Sequence, residues 1–200
     1  MAFEIELKAW VDEREKLKKR LNALAQYECA YEKDDTYWIF TEKVAPDLPF
    51  SENIPASGVR VRWEDETDAQ GRSSERVLVT YKVKEILDGI EINDEREFEV
   101  SNGKVFEELL ERLGLCPGSV KKKKGWAWNS AVPGEPDVRA ELSEVEGLGW
   151  FIELEIVAND NSEKTLSEGR NRLLTLLDSL DIPRNRIESR TYTGMLRDPV

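Results

Sequence analysis

The sequence predicts an α+β protein built on one mainly antiparallel sheet of about eight strands, closed on itself with helices packed outside. Three observations lead there. Segments alternating between apolar and charged residues recur along the chain, as in "FEIELKAWV" (3–11) and "FIELEIV" (151–157). Few helical segments separate them, so neighbouring strands connect without parallel crossovers. Several amphipathic helices are available to cover the apolar faces. No linker divides two cores, so residues 1–200 read as one domain.

Residues 2–11 form the first expected strand, with Glu4, Glu6 and Lys8 on one face and Phe3, Ile5, Leu7 and Ala9 on the other. Asp12, with Glu15 three residues on, resembles a capping box that opens a helix carrying Leu17, Leu21 and Leu24. "DTYWIFTEK" (35–43) is rich in β-formers and reads as a strand, followed by a polar, proline-containing loop over 44–58. In 58–66, Arg60, Arg62 and Glu64 oppose Val59, Val61 and Trp63; in 76–85, Thr80, Lys82 and Lys84 share a face. In 93–101, Glu95, Glu97 and Glu99 oppose Arg96, Phe98 and Val100. An amphipathic helix is expected over 103–114, closed by Gly114. The lysine run of 119–130 precedes two strands near 137–146 and 150–157, joined at Gly147-Leu148-Gly149. Asn161 or Ser162 is placed to cap a long helix that Pro183 prevents from continuing, and a short helix and tail end the chain.

Composition narrows the function. The net charge of −12 argues against nucleic-acid or membrane-surface binding through bulk positive charge. No segment approaches the roughly 18 apolar residues of a membrane span, and no basic segment followed by an apolar run marks a signal peptide. Cys29 and Cys116 read as free thiols of a reducing cytoplasm. Histidine is absent, which removes Ser–His and Cys–His catalysis and most catalytic zinc sites.

One charged strand face is ordinarily a solvated face. A whole set of them is satisfied together if the sheet curls until the charged faces line a channel, which also removes exposed edges. Inside it, carboxylates ~4 Å apart repel by about 4 kcal/mol at an effective dielectric of about 20. Glu4 with Glu6, and Glu153 with Glu155, meet that problem, as do Arg60 and Arg62 with opposite sign. Partial protonation or internal salt bridges relieve it, but a ligand carrying both charge types matches it better: a divalent ion on the carboxylates, and a polyanion reaching from the ion to the cations. Oxygen ligands alone point to Mg²⁺ or Mn²⁺, and arginine offers phosphate a bidentate grip.

At these residues the chain resembles the CYTH superfamily, the triphosphate tunnel metalloenzymes. "EIELK" matches its E-x-E-x-K signature at Glu4, Glu6 and Lys8, followed in order by "DTYW", "VRVR", "TYK", "EFEV", "VKKKK" and "EVEGLGWFIELE". "SRTYTGML" resembles the family's closing Ser-Tyr segment. The resemblance implies an eight-stranded antiparallel tunnel, a triphosphate substrate (inorganic triphosphate, thiamine triphosphate or ATP) and Mg²⁺ or Mn²⁺. Two departures stand out: Ser143 where the family often has aspartate before the E-V-E-G-L-G run, and Lys122 and Lys124 where it often has Lys-x-Arg.

The expected metal ligands are Glu4, Glu6, Glu97, Glu99, Glu153 and Glu155. The expected triphosphate-holding residues are Lys8, Arg60, Arg62, Lys82, Lys122 and Lys124. Lys8 either neutralises the transferring phosphate or helps Tyr37 deprotonate a water; Tyr37 also reads as a plain core residue, and Asp35 is a candidate to orient water. Trp63, Trp126 and Trp128 either stack on a base at the tunnel mouth or pack against covering helices. The expected activity is a metal-dependent triphosphatase. The alternatives are a class IV adenylyl cyclase, which makes cyclic AMP and pyrophosphate from ATP, and a non-catalytic polyphosphate or nucleotide binder. The oligomeric state is left open between monomer and homodimer.

Overall fold

The computed structural model describes residues 3–40, 58–87, 90–132, 135–160 and 162–198, and no side chain between 82 and 95 is described. Apart from Gly58, the loop expected over 44–58 lies outside the described residues. The elements run β1 (Phe3–Trp10), α1 (Arg14–Leu24), β2 (Gln26–Phe40), β3 (Val59–Asp68), β4 (Ser73–Leu87), β5 (Ile90–Val100), α2 (Gly103–Arg112), β6 (Leu115–Ser130), β7 (Val138–Val145), β8 (Gly149–Ala158) and α3 (Glu163–Ser179). A 3₁₀ turn (Arg184–Arg186) and a short α4 (Tyr192–Arg197) follow.

All neighbouring strands are antiparallel. In hydrogen-bonding order they run β1-β5-β4-β3-β2-β6-β7-β8, and β1 pairs with both β5 and β8. The result is a strongly curled eight-stranded sheet of α+β class. Its apolar core lies outside the curl. Ile5, Leu7 and Ala9 of β1, Ala140 and Leu142 of β7, and Ile152, Leu154 and Ile156 of β8 pack against Leu17 and Leu21 of α1 and Leu173, Leu176 and Leu177 of α3. A smaller cluster joins Val61 and Val77 to Leu110 of α2. Each fully buried leucine contributes about 1.5–3 kcal/mol. Packing the apolar faces outward leaves the charged faces to line the inside.

Two local departures have physical causes. The capping box does not form: α1 starts at Arg14 with no side-chain cap, and the Asp12 carboxylate instead accepts from Arg186. The second strand begins at Gln26, well before Asp35, because it pairs with both β3 and β6 along its length. Ser162 does cap α3, its Oγ accepting from the Thr165 amide. Gly125 is required by close approach, since a Cβ there would sit 2.1 Å from the Leu142 carbonyl oxygen of β7. Gly147 and Gly149, at φ 81° and 113°, make the tight β7–β8 turn.

Candidate active site

The charged faces enclose a cavity of about 310 Å³. Among the described residues its lining holds eight carboxylates (Glu4, Glu6, Glu64, Glu66, Glu97, Glu141, Glu153, Glu155) and eight cations (Lys8, Lys33, Arg60, Arg62, Arg76, Lys121, Lys123, Arg139), and no cysteine. Strand parity puts them there. Arg60, Arg62, Glu64 and Glu66 alternate along β3, and Arg139 and Glu141 along β7. Across β1 and β8, Glu6 lies opposite Glu155, and Lys8 opposite Glu153.

Behind this lining sits a buried ion network. Asp35 is fully buried; both its oxygens accept from Arg62, at 2.7 and 3.0 Å, and Lys121 donates to it at 2.8 Å. Burial alone would raise its carboxyl, but Arg62 and Lys121 hold it well below the usual range. Lys33 and Lys123 donate to the two oxygens of Glu141, at 2.7 and 2.8 Å, and Lys123 also pairs with Glu153. Burial opposes ionisation of both glutamates and is outweighed: Lys123, Lys33 and Arg139 push Glu141 well down, and Lys123 brings Glu153 to about 2. For Lys33 burial wins over Glu141 and lowers its ammonium. Nearer the surface, Arg60 donates to Thr80 and to Glu97, at 2.8 and 3.2 Å.

Of the residues expected from the sequence, the structure brings Glu4, Glu6, Lys8, Tyr37, Arg60, Arg62, Glu97, Glu153 and Glu155 to the cavity. Asp35 lies behind the lining as the anchor of Arg62 and Lys121. Glu99 is exposed and does not line the cavity. The side chain of Lys82 lies outside the described residues. Lys122 and Lys124 require correction. Both point outward, Lys122 donating to the exposed Asp34 and Lys124 pairing with Glu144; Lys121 and Lys123 face inward instead. The phase follows from the same strand: Trp128 is fully buried on the outer side with Nε1 donating to Asn22 of α1, so every even position of that stretch faces out. Trp126 stacks on Trp150 outside the curl, and Trp63 lies on the outer face beneath Gly103 of α2, so none of the three tryptophans lines the cavity.

Sequence reasoning missed Lys33, Glu66, Arg76, Lys121, Lys123, Arg139 and Tyr192. The signal for Lys33 was present in the odd positions of "YEKDDTY" (31–37), obscured by charges on both faces. Ser143, the departure from the family pattern, is fully buried, and Glu141 two residues earlier faces the cavity.

Fold and cavity together define an eight-stranded antiparallel sheet curled around facing rows of acids and bases. The chain belongs to the CYTH domain family, whose model matches residues 2–192. It is 23% identical over 192 residues to the candidate adenylate cyclase MJ0240 of Methanocaldococcus jannaschii, covering 95% of this chain and 96% of that one. The PH1819 protein of Pyrococcus horikoshii shares the fold at 24% identity and a TM-score of 0.74, over 98% of this chain and 99% of that one. HpAC1 from Hippeastrum, described as having a dominant triphosphatase activity, shares it at 15% identity and a TM-score of 0.61, over 98% and 95%. Among the described residues no helix is long and apolar enough to cross a membrane.

Proposed function

We propose that the chain is a metal-dependent phosphohydrolase acting on inorganic or organic triphosphate held inside a closed β-tunnel. The observation that carries this reading is the cavity, where eight carboxylates and eight cations among the described residues line a space of about 310 Å³. A simple anion site would need only the cations; a metal-bound polyphosphate uses both.

The donor set suits a hard divalent ion. Glu6 and Glu155 are directly opposed across two strands, an arrangement of like charges that destabilises a sheet unless something neutralises it. Among the described residues no three acidic side chains are gathered to hold a metal by themselves. The opposed pair of carboxylates fits Mg²⁺ or Mn²⁺, which bind through one or two carboxylates and complete their shell with substrate phosphates and water. We assign Glu6 and Glu155 as the ligands, because they lie directly opposite one another on the cavity wall, with Glu4 beside them on the same face of β1. When bound, the ion neutralises charge on the phosphate oxygens.

Arg60 and Arg62 hold phosphate oxygens, Arg62 in a rotamer fixed by Asp35. Lys121, on the same aspartate, presents a second cation, and Lys8 a third opposite Glu153. Tyr37 lines the cavity, where its hydroxyl is available to orient water. Phosphoryl transfer needs positioning and charge stabilisation more than a protein nucleophile.

A class IV adenylyl cyclase is the second reading, supported by the name of the M. jannaschii relative. Inorganic triphosphate, thiamine triphosphate and ATP incubated side by side with Mg²⁺ or Mn²⁺ separate the two. The expected result is phosphate release. Mainly cyclic AMP from ATP favours the cyclase, and binding without turnover favours a non-catalytic binder.

A further inference from the structure

The segment leading into α4 is fixed beside the end of β1. The Glu188 amide donates to the Lys8 carbonyl at 2.8 Å, Ala9 pairs with Ile187, and Trp10 Nε1 donates to the Glu188 carboxylate at 3.2 Å. This anchoring carries Tyr192 into the cavity wall. The ring is 6% exposed, backed edge-on by Phe151 at 5.0 Å and packed with Val145 and Met195. On its face lie two ammonium groups, Lys8 at 4.7 Å and Lys121 at 5.3 Å from the ring centroid.

The phenol Oη is buried and makes no hydrogen bond. A buried donor without a partner is costly, and one in a native wall calls for an explanation. Burial, with the Glu153 and Glu6 carboxylates nearby, raises the phenol well above its ordinary value, so it stays a donor. The Glu153 carboxylate lies close to Oη but outside hydrogen-bond geometry, and Lys123 already grips it. Among the described residues no acceptor meets Oη in hydrogen-bond geometry, and the two ammonium groups on the ring face favour an anion there.

Resting on the reading of the cavity as an oligophosphate site, we propose that Tyr192 is a ligand-positioning residue whose Oη donates to a phosphate oxygen lying beside Lys8 and Lys121. It acts on ground-state binding, so its loss raises Kd and KM more than it lowers kcat.

The test compares wild type with Tyr192→Phe. Binding of diimidotriphosphate, whose P–N–P bridges resist hydrolysis, is measured by calorimetry with Mg²⁺, and melting with and without that ligand. The variant should bind about tenfold or more weakly, the loss of one hydrogen bond to a charged acceptor. Its ligand-free melting temperature should be unchanged or higher, since an unpartnered donor has been removed, and its gain on ligand binding should shrink. Equal affinity in both proteins overturns the proposal. A ligand-free variant that melts well below wild type, or fails to fold, also overturns it, because the hydroxyl then has a partner within the protein. Failure of wild type itself to bind diimidotriphosphate instead removes the oligophosphate reading.

Discussion

Asp35 is fully buried, and it is tolerated there because Arg62 and Lys121 satisfy it. A carboxylate so committed orients cations and is a poor base. Asp35→Asn leaves two buried cations short of a partner, so it should cost on the order of 3 kcal/mol in urea unfolding. Asp34→Asn, one residue away at an exposed pair with Lys122, should change stability by about 0.5 kcal/mol or less. Glu153 supplies a pH test. Its carboxyl is depressed from 4.5 to about 2, so its stabilising contribution is complete above pH 4.5 and is lost as pH falls toward 2. Glu141 shifts in the same direction. Melting temperature should therefore decline across that window, and Glu153→Gln should flatten the decline; an identical acid limb in the variant would contradict the role given to this pair.

At the level of elements, alternation revealed most of the strands, because one face of each had to be apolar to pack under α1, α2 or α3. It was silent where both faces carry charge. The lysine run of β6 has no apolar partner residues to set its phase, and the family pattern pointed to Lys122 and Lys124; the buried Trp128 sets the opposite phase. Likewise the early part of β2, with Glu32, Lys33, Asp34 and Asp35 in succession, hid a strand whose place is set by pairing on both sides. The Asp12 cap failed because a long-range partner, Arg186, competes for the same carboxylate. The corrected phase is testable by phosphate-release assay: Lys121→Ala and Lys123→Ala should each lower turnover at least about tenfold, while Lys122→Ala and Lys124→Ala should stay near wild type. Packing gives a second contrast. Leu177→Ala in α3 should cost about 2–5 kcal/mol. Leu109→Ala on the exposed side of α2 should cost about 0.5 kcal/mol or less, both read from urea unfolding.

For the whole molecule, the organising fact is inversion: the hydrophobic core lies between sheet and helices, and the interior of the curl is ionic. Buried ion pairs are seldom the cheapest way to stabilise a fold, and a lining of this kind supports the proposed ligand site. The composition carried that much, since an acidic chain without histidine had to do its chemistry with carboxylates, lysine and arginine. The most direct test is a crystal structure of the chain soaked with Mn²⁺ and inorganic triphosphate, with the metal located by anomalous scattering. We expect one Mn²⁺ bridging Glu6 or Glu155 to the ligand, with phosphate oxygens on Arg60 and Arg62. Triphosphate bound only on the outer surface, or an ion bound away from these glutamates, would contradict the assignment.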